Sequence, residues 1–153
     1  MLVMTEEKAK ELNIKPIAIL DGFGTSGVDP SIMGIGPVDA VKKALQRTNQ
    51  SIEDIDVFEL NEAFASQVLS TLAAWEDESF CKERLGLDKP LGAIDRSKLN
   101  VNGSSLAAGH PFAATGGRIL ASTAKLLDQK GSGRALISIC AAGGQGVVAI
   151  LEK

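Results

Sequence analysis

Strands that alternate with helices and close on a hairpin predict an α/β fold, a mixed β-sheet layered with helices. Three observations carry that expectation. Apolar runs at 16–21, 55–60, 134–140 and 146–151 are each bounded by turn residues, helix-period stretches intervene from position 37 onward, and only Ala141-Ala142-Gly143-Gly144-Gln145 joins the last two runs. A length of 153 residues suits a single unit with a real core, so residues 1–153 are read as one domain. A make-up of 44% hydrophobic and 23% charged residues excludes a chain disordered throughout. Sixteen basic against nineteen acidic residues leave a net charge of −3, without the basic footprint that phosphate backbones require, so no nucleic acid partner is expected.

In order along the chain, Met1 to Met4 reads as a strand stump with no lead-in, as in a chain that begins in mid-domain. Thr5 then caps an acidic-start helix ending near Asn13. Residues 16–21 read as a strand, loosened by Gly22, Gly24 and Gly27 into a glycine-rich loop that runs to Gly34 and Gly36. Pro37 opens an amphipathic helix with Val38, Val41, Ala44 and Leu45 inward and Asp39 on a solvated face. Residues 55–60 alternate as a strand that feeds a helix from Asn61. About 76–98 is dense in charge and reads as a surface excursion, with a short helix around 79–85. Residues 99–102 are strand-like, 103–109 form a small-residue loop, and a helix runs from about Pro111 to Lys130.

The start of the chain lacks the signal-peptide pattern, which implies a cytoplasmic location, and the apolar region 135–151 is broken by glycines, so no transmembrane segment is expected. Cys81 and Cys140 are too few for a disulfide framework and read as free thiols. Gly22-Phe23-Gly24-Thr25-Ser26-Gly27 matches the dinucleotide fingerprint on paper, but Val28-Asp29-Pro30 follows it where a helix must open, and we reject that reading. Cys81, His110 and Cys140 lack the paired spacing of a metal set, so no metal is assigned.

Taken singly, Asn61 is a helix cap, His110 a structural imidazole and Cys140 an inert buried thiol. Taken together they change, because Asn61-Glu62-Ala63-Phe64-Ala65, Gly109-His110-Pro111 and Cys140-Ala141-Ala142-Gly143-Gly144 all follow predicted strands, where open α/β sheets gather ligands. The three motifs in this order resemble the C-terminal half of the thiolases, which cleave or form 3-ketoacyl-CoA. The likeness covers nearly the whole chain and includes Asp29 to Pro37, Val101-Asn102-Gly103 and Gly143-Gly144-Gln145-Gly146. Within that family, Gly109 to Arg118 and the excursion after Trp75 look most like the fatty-acid β-oxidation thiolases that partner a hydratase/dehydrogenase subunit.

The resemblance implies an acyltransferase domain with acyl-CoA and coenzyme A as substrates and no covalently bound cofactor. His110 would take the proton of a nucleophilic cysteine, Cys140 would act as acid and base with its thiol drawn towards neutral pH by a polar pocket, and Asn61 would hold an oxyanion water beside His110. Ala142 would supply a backbone donor, with Gly143 beside it, and Met33 and Phe64 would line the acyl pocket. Ser104 and Ser105 stand where many members have Gly-Ala, and Ala142 replaces a common glycine. The nucleophilic cysteine and the CoA-binding loop region have no counterpart here; Cys81 lies in the charged excursion and is not promoted to that role. The chain alone is therefore expected not to turn over, and to work with an N-terminal thiolase half or as a homo-oligomer. The alternative is a non-catalytic interaction module on the same fold. A ketoacyl synthase is weaker, because that relative expects a second histidine in this half. Half of a two-domain sandwich exposes apolar surface normally covered and is also expected to self-associate or to be poorly soluble.

Overall fold

The computed structural model describes residues 1–153. Four strands, β1 (Ile19–Gly27), β2 (Val57–Leu60), β3 (Arg134–Ala141) and β4 (Gln145–Glu152), form one sheet in the order β1-β4-β3-β2. β1 and β3 run antiparallel to β4, and β2 runs parallel to β3, so the sheet is mixed. The hairpin pairs Cys140 with Gly146, and the parallel register pairs Leu60 with Ser138.

Strand alternation sorts side chains to two faces. Phe58, Leu60, Leu136, Val148 and Ile150 join the main core beneath α2 (Pro37–Thr48), α3 (Ala65–Glu76) and α4 (Glu78–Leu85). Val57, Ala135, Ile137 and Leu151 join a smaller core under α6 (Thr115–Lys130). The 3.6-residue period of α2 buries Val38, Val41, Ala44 and Leu45, while Asp39 pairs outward with Lys42 at 2.9 Å and Lys43 at 2.5 Å.

The glycine-rich run read as a loop is strand. Gly22, Gly24 and Gly27 belong to β1, and the first two are glycines because α2 lies directly on them. A Cβ at Gly24 would collide with the Ala40 carbonyl oxygen, and one at Gly36 would sit 2.6 Å from the Gln145 oxygen. These positions let one backbone rest on another. Two further expectations change. Met1–Met4 forms no strand, with Met1, Leu2 and Val3 exposed, although α1 (Glu6–Glu11) forms with Thr5 accepting from the Lys8 N–H. The charged stretch is no mere surface excursion: Cys81 and Leu85, four apart on α4, and Ile94 are buried in the main core, with the charges facing outward.

Residues 99–102 make a single parallel bridge, Leu99 to Phe58, and not a strand. The Asn100 side chain continues the ladder instead, accepting from the Leu60 N–H and donating to the Leu60 carbonyl, both at 2.9 Å. Within the expected small-residue loop lies a four-residue helix, α5 (Ser105–Ala108). α3 starts at Ala65 and α6 at Thr115, each four residues later than predicted.

α6 covers the β2–β3 side of its face and leaves the rest bare. There Phe23 is 58% and Val147 44% exposed. We expect the scattering mass of the chain to exceed the 16.0 kDa monomer and rise with concentration; a constant monomer mass would count against that. Gly24→Ala should cost about 1–3 kcal/mol in urea unfolding by forcing α2 off the strand. A change below about 0.5 kcal/mol would show the contact is not tight.

Candidate active site

β2 ends at Leu60 and the chain leaves the sheet through Asn61, whose N–H still donates to the Ser138 carbonyl at 2.9 Å. Asn61 does not cap α3; that position is Phe64, and the Asn61 side chain is buried and committed elsewhere. Its amide nitrogen lies 3.4 Å from His110 Nε2, a long contact, and its carbonyl oxygen 2.6 Å from Ser105 Oγ. The structure thus joins Asn61 and His110, 49 positions apart in sequence.

His110 does not follow a strand directly, as the sequence suggested. It stands between α5 and α6, after Gly109, whose φ of 86° turns the chain in a way a side chain resists. Its Nδ1 lies 2.8 Å from Thr115 Oγ1, and the Phe112 ring meets the imidazole edge-on at a centroid distance of 5.1 Å. The loop is fixed from below by Glu62, whose carboxylate accepts from Asn100 Nδ2 at 3.0 Å and from the Leu106 N–H at 3.1 Å.

Cys140 belongs to the end of β3, next to the strand that delivers Asn61. Continuing the parallel register by one residue sets Asn61 opposite Ile139, the residue before Cys140. No hydrogen bond links the thiol to Asn61 or His110, so its place in the group is one of strand neighbourhood. Burial pushes the Cys140 thiol above its ordinary value, which corrects the expectation of a thiol drawn towards neutral pH. The cause is a strand-end position 5% exposed, where the charged form loses hydration.

Ala142 and Gly143 form the exposed tip of the hairpin. Ala142 does not have a positive φ, whereas Gly143 and Gly144 do at 83° and 85°, so alanine is tolerated there and its N–H is retained. Met33 lies half-buried in the 3-10 turn Pro30–Ile35, and Phe64 is 60% exposed at the start of α3. Neither lines the open groove of about 890 Å³ between that turn, α3 and α4, and neither His110 nor Cys140 touches it. Cys81 is remote from the group, its sulfur within 3.5 Å of the Ala74 and Trp75 carbonyls and accepting from the Leu91 N–H. Both thiols are free, and no three acidic, histidine or cysteine side chains gather closely enough to hold a metal. Sequence reasoning missed Glu62, Ser105, Thr115 and Arg118; the pair of serines replacing Gly-Ala was the available signal.

Because the folded thiol is harder to ionise than the unfolded one, its contribution to stability is present below the unfolded value of about 8.5 and is lost as pH rises through the folded value. Alkylation of Cys140 by iodoacetamide, followed by peptide mapping, should therefore have a pH midpoint above that of a free cysteine peptide. An equal or lower midpoint would contradict the burial effect.

The thiolase C-terminal domain family matches residues 14–153. A Staphylococcus aureus (strain MRSA252) protein named "Probable acetyl-CoA acyltransferase" is 49% identical over 154 residues, covering 100% of this chain and 34% of that protein. The crystal structure of the Bacillus anthracis acetyl-CoA acetyltransferase aligns with a TM-score of 0.80 at 42% identity, over 97% of this chain and 34% of its own. Human mitochondrial 3-ketoacyl-CoA thiolase in complex with CoA aligns at 0.79 and 40%, over 97% and 33%. The chain thus spans about a third of the length of these relatives. With a family match over residues 14–153, 49% identity to a relative over the whole chain and a shared fold over 97% of it, this chain belongs to the thiolase family, as its C-terminal domain.

Proposed function

We propose that this chain is the C-terminal catalytic part of a thiolase that transfers an acyl group between 3-ketoacyl-CoA and coenzyme A. The observation that carries the reading is the meeting of the Asn61 amide and the His110 imidazole at the end of β2, beside the strand whose last turnward residues include Cys140. In thiolysis, His110 Nε2 takes the proton of a cysteine thiol supplied from outside this chain, and the sulfur attacks the 3-keto carbon. The bond between C2 and C3 breaks, its electron pair leaves as the enolate of acetyl-CoA, and the Cys140 thiol gives that carbon a proton. A thiol kept protonated by burial suits this donor role. Coenzyme A then displaces the acyl group from the cysteine, and condensation is the reverse sequence.

His110 and a water on Asn61 stabilise the enolate oxygen, and the Ala142 N–H serves a second oxyanion. Gly143 keeps the hairpin tip narrow where the thioester approaches, and Met33 and Phe64 border the acyl chain. The exposed tip and the 84%-exposed Phe112 leave the site open on one side, which fits completion by an N-terminal thiolase half. By itself the chain is inactive. We place it among the β-oxidation thiolases of lipid metabolism that work with a hydratase/dehydrogenase subunit, on the run Gly109 to Arg118, and in the cytoplasm, where its two free thiols stay reduced.

Mixing the chain with an N-terminal thiolase half that carries the nucleophilic cysteine should restore acetoacetyl-CoA thiolysis. His110→Ala and Cys140→Ala should each lower it by at least about 100-fold, the usual scale of a general acid or base. A properly assembled but inactive mixture would instead favour the interaction module.

A further inference from the structure

Ser105 and Arg118 are not among the groups that would meet substrate, yet both belong to the hydrogen-bond chain that reaches His110 through Asn61. Arg118 Nη2 donates to Ser105 Oγ at 2.9 Å, and Ser105 Oγ lies 2.6 Å from Asn61 Oδ1. Arginine can only donate, so it occupies a lone pair of the serine oxygen and leaves the single hydroxyl proton to be given onward. A separation of 2.6 Å suits O–H···O and is short for N–H···O, which identifies the serine as donor and the Asn61 atom facing it as the carbonyl oxygen. The amide cannot flip, and its NH2 is turned to His110 Nε2.

A donor facing Nε2 requires that nitrogen to be unprotonated, so the neutral ring carries its proton on Nδ1. The other side of the ring agrees. Nδ1–H donates to Thr115 Oγ1 at 2.8 Å, and the Thr115 hydroxyl donates to the Pro111 carbonyl at 3.1 Å. Ser105 is 5% exposed and Thr115 3%, so neither can exchange these partners for bulk water without cost.

We propose that Ser105 and Arg118 are positioning residues: they lock the Asn61 amide and, with Thr115, hold His110 in the Nδ1–H tautomer with its Nε2 lone pair facing the site. This deepens the catalytic reading above, which needs Nε2 as a base, and it gives a role to one of the two serines that replace Gly-Ala. The substitution adds a hydroxyl that an alanine at position 105 could not supply.

His110 is the only histidine, so in the 153-residue chain labelled with 15N-histidine the imidazole signals need no assignment. They are read about two units above the ordinary imidazole value, in solution or, for an associated sample, by magic-angle spinning. The wild type should show a protonated Nδ1 and an unprotonated Nε2, the reverse of the preference of free imidazole. Ser105→Ala and Arg118→Met should each lower the ratio of Nδ1–H to Nε2–H at least about fivefold, the scale of one hydrogen bond, and Ser105→Thr should restore it. In the complemented enzyme Ser105→Ala should lower kcat about tenfold with little change in KM.

A wild-type ring in the Nε2–H form overturns the proposal whatever the variants do. So does an unchanged ring in folded Ser105→Ala or Arg118→Met, and the second variant decides the matter if the first does not fold. The ring spectrum needs no turnover. A complemented mixture without activity would therefore sink the catalytic reading while leaving the tautomer result to stand or fall separately.

Discussion

Backbone resting on backbone is the constraint from which the arrangement follows. α2 lies so close to β1 that Gly22 and Gly24 have no room for a Cβ, and Gly36 and Gly146 press together where the 3-10 turn meets β4. Gly144 is pressed against Val28 in the same way, and the Val28 N–H donates to its carbonyl at 2.7 Å. These contacts place the β3–β4 hairpin, and with it Cys140 and Ala142, at a set height relative to the turn that carries Met33. Interiors are packed too densely to absorb an added methyl group there without displacing a whole helix.

A second constraint is electrical. Asn61 and Ser105 are buried polar groups, and each must find partners inside the protein or lose the hydration it had in water. Their solution links the end of β2, the four-residue α5 and the start of α6 into one chain of donors. A helix as short as α5 has no stability of its own. It is held by the Glu62 carboxylate on the Leu106 N–H and by Arg118 on Ser105, so the candidate base stands on a segment organised by side chains. Glu59, on the same strand, has the opposite fate. Burial on the α6 face pushes its carboxyl above the usual range, and one oxygen finds no partner.

Much of this was legible beforehand where a residue's neighbours in sequence are also its neighbours in space. The inward face of α2, the β3–β4 hairpin and the strand leading to Asn61 follow from periodicity and turn residues alone. β1 was cut short because its glycines signal flexibility when read locally, while their reason lies on α2, fifteen or more positions away. The burial of Cys81 and Ile94 was hidden because charge density describes the outward side of a segment and says nothing of its inward side. Asn61 and His110 could be named from their motifs, but the residues that orient them could not. Their partners lie on α5 and α6, and a serine or an arginine in a small-residue loop has many bland explanations.

The sequence by itself determined the alternation of strands and helices, the family and the residue types available for acid–base chemistry, because these depend on side-chain chemistry and short-range spacing. Tertiary structure alone decided which glycines are contacts and not hinges, that the Cys140 thiol is harder to ionise, and which side chains meet the two ring nitrogens of His110. Each of those depends on what a distant segment brings within a few ångströms, where exclusion of water and the direction of a single hydrogen bond set the energy.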